Sequence, residues 1–309
     1  MSLKKCRFRF LVIQSESGNP LNAMLNVGLL RAVIFMVIGG VSIALMQAAV
    51  KLISFELHPF IITLYRAGLV FVVLLPILFW RGRAVFNTSS IRLQVVRGGI
   101  GGLGMLCVFT GLSMISLAEV TVLLFTVPIF ATLLSIVFLS EKVGVRRWTA
   151  IFVGFLGMLI IARPQGSVST GHLFILCAAL SWSTSILIAK KLTEKDTVIS
   201  ITFWQAMGCV PLAFIASLFV WELPSFVQLG ALLGIAALGT VGHAMLYAAL
   251  KVGQVSVILP LDYIRIIWSA GLGFILFGQL PTLHLYVGSL LIIAATAFLS
   301  YREVTAGEG

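Results

Sequence analysis

Three charged residues fall inside apolar runs: Arg66, Asp262 and Arg265. A charge at the centre of a lipid-spanning helix costs about 2.5–3.5 kcal/mol on insertion scales, so such residues are functional candidates by default. Asp262 and Arg265 are three apart, the spacing at which helical side chains share a face and pair. Two roles fit that spacing. One is a self-neutralising pair that only holds its helix in place. The other is a cavity-lining pair, one partner of which a charged solute competes for. Pro260 precedes the pair and removes a backbone donor at the depth where a gate flexes. Arg66 has no acidic partner in its own run. It either snorkels to the headgroups near Pro59 or contacts an anion at the outer mouth of a cavity, with Glu119 as a partner within reach.

His243 and Tyr247 are four apart on one helix face, with Gly239 and Gly242 leaving room beside them. The alternative for His243 is a satisfied buried group. Trp182 stands among Ser181, Ser183, Thr184 and Ser185, a polar cluster that turns inward in a membrane helix. Its ring either stacks on a planar solute or simply packs. The chemistry on offer is recognition of a small solute. Catalysis by a metal or cofactor is not expected: the four His lie in four different segments and no H-E-x-x-H occurs. Gly99, Gly101 and Gly104 match G-x-G-x-x-G, but a dinucleotide site needs a preceding strand. With Gly98 and Gly102 beside them, close helix packing explains these glycines better.

The elements that position these residues must be lipid-spanning. Hydrophobic residues make up 60% of the 309, and charged residues only 10%. A soluble domain carries about 25% charged residues, so a soluble enzyme or nucleic-acid-binding protein is excluded. The net charge of +11 instead reads as basic anchors facing anionic lipid. Cys6, Cys107, Cys177 and Cys209 lie far apart and suggest neither a disulfide framework nor a zinc site. Ten apolar runs are long enough to span, at 32–51, 59–80, 95–116, 119–140, 146–163, 171–191, 197–221, 227–250, 254–278 and 282–301. Residues 1–31 stand apart as a cytoplasmic N-terminal tail, disordered or lying on the membrane surface, with Met24 as an alternative start.

Of the 21 Lys and Arg, only Lys51 and Arg163 fall at outer ends when the N-terminus is set inside, and only Arg66 and Arg265 fall within helices. Arg97, with Arg81, Arg83 and Arg92, belongs to a basic cytoplasmic segment, and Lys51 reads as an interfacial anchor. Both termini are therefore expected to be cytoplasmic. The two halves also repeat. A shift of 139 sets Lys51 against Lys190, Thr63 against Thr202, and Arg66 against Gln205; a shift of 138 sets Gly111-Leu112 against Ala249-Leu250 and Ser140-Glu141 against Gly278-Gln279. Five helices is an odd number, so the second half must enter the membrane inverted. The expected fold is an all-α membrane protein of ten transmembrane helices, two inverted five-helix repeats (32–164 and 171–302) around a central cavity. A duplicated bundle without transport is the alternative.

At this point the chain resembles the drug/metabolite transporter superfamily, EamA-like family. The resemblance covers about residues 29–302. It rests on the repeat and on four segments: Val120-to-Val143 with Pro128 and its exit Ser140-Glu141-Lys142, Gly154-to-Pro164, Ala179-Leu180-Ser181-Trp182, and Ala249-Leu250 through Pro260 and Tyr263 to Phe277-Gly278. Gln279 departs from it, standing where the second repeat often has Glu. The resemblance implies a secondary transporter of a small organic metabolite, working by alternating access in a bacterial inner membrane. The overall look is nearest to carriers for S-adenosylmethionine or riboflavin uptake; amino-acid exporters share the architecture. A membrane-embedded enzyme is the competing class. The candidate substrate-binding residues are Arg66, Trp182, His243, Tyr247, Asp262, Tyr263 and Arg265. Their cationic balance favours a zwitterionic or anionic metabolite. Partners are that metabolite and the bilayer, with no nucleic acid, in a monomer or homodimer.

No Walker motif is present, so direct ATP use is not expected. Small multidrug-resistance relatives exchange protons through a first-helix carboxylate. The first run here, Ala32 to Val50, has no acid, and Ser42 and Gln47 are its polar residues. Facilitated exchange or uniport is the expected energetics. A fluorescent reporter fused after Gly309 is expected to report from the cytoplasm; a reporter found outside overturns the topology.

Overall fold

The computed structural model describes residues 20–127, 129–131, 133–134, 145–162, 169–252, 258, 262, 265–280 and 282–306. Residues 1–19, Pro128, Ser140-Glu141-Lys142, Pro260 and Tyr263 lie outside the described residues. The described residues form α-helix and short 3-10 turns, with no strand among them. The helices are α1 (Pro20–Ile53), α2 (Pro59–Arg81), α3 (Ile91–Met114), α4 (Leu117–Leu124), α5 (Val145–Ala162), α6 (Thr170–Thr193), α7 (Val198–Ser217), α8 (Phe226–Val252), α9 (Arg265–Phe277) and α10 (Leu283–Ala306). Among the described residues, 6 helices (α1, α2, α3, α6, α7 and α8) hold spans long and apolar enough to cross a membrane. The described residues are thus all-helical and consistent with a membrane protein.

Local sequence sets the helix ends. The Ser90, Ser116, Ser169 and Thr197 hydroxyls accept from backbone N–H groups of the first turns of α3, α4, α6 and α7. Helix α1 reaches back beyond the expected apolar run to Pro20, a residue suited to the first helical position because its missing N–H has no partner to lose there. The ninth run differs more. Among its described residues, Ile258 is helical, Asp262 sits in a 3-10 turn, and α9 runs from Arg265.

The most extensive pairings are α1 with α8 and α3 with α6, followed by α5 with α10 and α3 with α7. Glycines permit the closest approaches. A Cβ on Gly98 of α3 would lie 2.8 Å from the Gly208 Cα of α7, and one on Gly102 would lie 2.9 Å from the Cys209 Cα. The glycine cluster of α3 is therefore a packing device, as its setting in an apolar span implies.

Several contacts recur with both partners moved to the other half. Lys51 Nζ donates to the Leu112 carbonyl at 2.7 Å, and Lys190 Nζ donates to the Leu250 carbonyl at 2.7 Å. Gly101 seats Gln205, and Gly239 seats Arg66. Gly104 abuts Trp182, and Gly242 abuts Ile43. Lys51 is correspondingly not an interfacial anchor. It is 6% exposed and holds the end of α3 through the carbonyls of Leu112 and Ile115, where a helix end favours a cation.

Gly98→Leu is expected to lower stability by about 1–3 kcal/mol, because the atoms it meets are backbone and cannot move aside. Gly99→Ala, which meets open space, is expected to be neutral. Thermal unfolding in detergent checks both.

Candidate functional site

A cavity with about 850 Å³ of atom-free space, part of it continuous with its mouth, lies between the halves. Its lining is divided by origin. From the first half come Ile43 of α1, Leu124 of α4, and Phe125 and Val127 just beyond α4, all apolar. From the second half come Trp182, Ser185, Gln205, His243, Tyr247, Asp262 and Arg265, which supply every polar side chain among the described lining residues. Leu112, whose carbonyl Lys51 holds, belongs with Phe109, Leu232 and Ile235 to an apolar cluster of buried residues.

Asp262 and Arg265 form the expected pair, with Arg265 Nη2 2.9 Å from Asp262 Oδ2. Their exposures differ: Arg265 is 4% exposed and Asp262 23%, so the carboxylate is the more accessible partner. Arg265 opens α9, which puts Asp262 on the N-terminal side of that helix, where a negative charge is stabilised. The guanidinium also lies 5.9 Å from the Phe125 ring centroid, a cation–π contact across the two halves. Among the described residues, Arg265 Nε has no hydrogen-bond partner.

His243 stands edge-on to Trp182, with ring centroids 6.3 Å apart. Its Nδ1 is 2.8 Å from the Gly239 carbonyl. Arg66 is placed differently from the sequence expectation. It does not line the cavity and does not meet Glu119, whose carboxylate accepts from Ser116 N in a capping box. Arg66 is 3% exposed, lies over Gly239, and brings Nη2 to 3.3 Å from His243 Nδ1. It stands behind His243 because Gly239 leaves a seat for it there. Tyr263 lies outside the described residues.

Two residues were missed by sequence reasoning. Gln205 lines the cavity, and Arg97, expected in a cytoplasmic segment, is fully buried behind it. Arg97 donates to Gln205 Oε1 at 2.8 Å, the Tyr247 hydroxyl at 3.0 Å, the Ile201 carbonyl at 2.6 Å and Gln94 Oε1. Gln94 in turn donates to Asp196 Oδ2 at 2.9 Å, so the chain of polar contacts reaches the α6–α7 turn. The repeat offset held one clue, since it sets Gln205 against Arg66.

A model of the EamA-like transporter family matches residues 30–163 and again 169–301. The chain belongs to the EamA-like transporter family. As such it falls in the drug/metabolite transporter superfamily and is a metabolite transporter. This EamA-like transporter is 28% identical over 254 residues to an S-adenosylmethionine uptake transporter of Rickettsia bellii, covering 82% of this chain and 87% of that one. It is 26% identical over 280 residues to a riboflavin transporter of Vibrio cholerae, covering 89% and 94%. It is 25% identical to the pseudopaline exporter CntI of Pseudomonas aeruginosa, covering 87% and 95%. A solved crystal structure superposes on 91% of this chain and 98% of its own with a TM-score of 0.57 at 18% identity, a likeness of fold.

Asp196, outside the spans, carries a pH dependence of its own. Burial raises its pKa, but hydrogen bonds from the Thr88 hydroxyl, the Ser89 N–H and the Gln94 amide outweigh burial and hold it below the ordinary carboxylate value. A depressed carboxylate contributes stability that is present above the unfolded value, near ~4, and is lost as pH falls through the folded value. Unfolding midpoints are therefore expected to fall with pH below about 4, and Asp196→Asn to flatten that fall. An equal slope in the variant contradicts the assignment.

Proposed function

We propose that this transporter carries a small organic metabolite across a bacterial inner membrane by alternating access, with its ten helices arranged as two inverted repeats, 32–164 and 171–302, behind a cytoplasmic tail of residues 1–31. The single observation that carries the proposal is a charged pair, Asp262–Arg265, lining a cavity that both halves enclose. The exchange of helix pairings supports the inverted repeat: swapping α1 with α6 and α3 with α8 turns the α1–α8 pairing into the α3–α6 pairing. The contacts at the turns support the topology. Asp196 meets Thr88 and Ser89, all in turns expected inside, while Gln279 meets Leu117 and Gln228 meets Glu56, all expected outside. The basic residues set the first group, and with it both termini, in the cytoplasm.

Trp182, His243, Tyr247, Asp262 and Arg265 are the solute-facing groups in this reading, Arg66 acts through His243, and Tyr263, between Asp262 and Arg265 in sequence, is a further solute-binding residue. The charged pair favours a solute with a zwitterionic or anionic group, as at the amino-acid end of S-adenosylmethionine; neutral riboflavin would rely on the uncharged polar groups of the wall. S-adenosylmethionine and riboflavin uptake are favoured because relatives over most of the chain bear those names. Export is the second reading, favoured by the likeness to an exporter. The protein acts as a carrier and not as a membrane-embedded enzyme; product made from lipid without movement of solute reverses that.

Counterflow into proteoliposomes is the test, over a panel of S-adenosylmethionine, riboflavin and aromatic amino acids. Arg265→Ala is expected to abolish flux of the carried member while the protein stays folded and inserted. Wild-type flux in that variant reduces the pair to a structural role, and no counterflow across the panel sinks the proposed substrates.

A further inference from the structure

Arg97 is absent from the cavity wall, yet all five of its N–H groups have acceptors in the protein. Two of those acceptors, Gln205 Oε1 and the Tyr247 hydroxyl, belong to side chains that do line the cavity. A primary amide has one accepting end and one donating end. Arg97 Nη1 at 2.8 Å and the Tyr247 hydroxyl at 3.4 Å both take the oxygen end of Gln205. Turning the amide over would aim its two N–H donors at a guanidinium, so the charge fixes the orientation. The nitrogen end lies over Gly101, in space that a Cβ there would fill, and no acceptor in the described residues meets it.

We propose that Gln205 is a specificity residue for the carried solute, offering N–H donors only, and that Arg97 is the positioning residue that fixes it so. The group it selects is a hydrogen-bond acceptor on the solute: a carboxylate, a carbonyl or a ring nitrogen. This rests on the cavity being the solute site. The device belongs to one side of the repeat only. The shift of 138 sets Arg97 against Ile235 and Tyr247 against Phe109, and both counterparts sit in the apolar cluster. Asp196 completes the arrangement at one remove, accepting from the Gln94 amide whose oxygen Arg97 holds. The buried cation is thereby balanced without a carboxylate beside the cavity wall.

Gln205→Glu separates the two roles, because it keeps an acceptor for Arg97 and removes both donors. It is expected to unfold at or above the wild-type midpoint in detergent, and to bind S-adenosylmethionine and riboflavin about tenfold more weakly. Neither probe carries net negative charge, so repulsion by the new carboxylate does not account for a loss on both. Gln205→Leu removes the acceptor as well and is expected to lower the midpoint by several degrees. Gly101→Ala, which displaces the amide while leaving Arg97 and Gln205 in place, is expected to weaken both probes. Wild-type affinity for both probes in Gln205→Glu overturns the donor role, and an unchanged midpoint in Gln205→Leu overturns the hold by Arg97. The midpoints are read without solute, so a failure of counterflow sinks the substrate reading while the hold by Arg97 is still scored; wild-type protein that binds neither probe overturns the donor role.

Discussion

A cation surrounded by lipid-facing helices has no water to bond with, so each one must find its acceptors within the protein. That constraint organises the interior. Arg97 meets it completely, with every N–H bonded to α3, α7 or α8. Lys51 meets it with carbonyls at the end of α3, groups a helix leaves without intrahelical partners. Arg66, against His243, and Arg265, paired with Asp262, meet it in part, each keeping an Nε without a partner among the described residues. The fully bonded cations tie helices together, whereas the partly bonded ones stand beside or behind the cavity wall.

Close crossing of helices makes those contacts reachable. Gly98 and Gly102 let α3 touch the backbone of α7, and only at that separation can Arg97 reach the Ile201 carbonyl. Gly239 does the same for Arg66 beside α8. The glycines thus link packing to electrostatics: the missing side chains make the seats in which buried polar groups are held. The lysine contacts at the ends of α1 and α6 then fix the axial register of each crossing.

The cavity inherits a division from the two halves. One wall is apolar, and the other carries aromatic, amide, imidazole and ionic groups. On the proposed reading, a solute bound between them turns its polar end toward α7, α8 and α9. Equivalent positions in the repeat have diverged in chemistry while keeping their geometry, as Ile43 and Trp182 do against Gly242 and Gly104.

The sequence by itself determined the solvent, the helical class, the family and the Asp262–Arg265 pair, because composition, run length and a three-residue spacing are local properties. It also pointed to Trp182, His243 and Tyr247, whose neighbours on their own helices betray an inward face. Only the tertiary structure decided that Arg97 is buried behind the cavity, that Arg66 stands behind His243 rather than beside Glu119, and that Gln205 reaches the wall. The physical reason is that burial of a charge near a helix end depends on what packs over it. For Arg97 that is α7 and α8, more than a hundred residues along the chain, and nothing in the residues adjacent to it, basic and apolar alike, distinguishes a cation facing headgroups from one facing an amide.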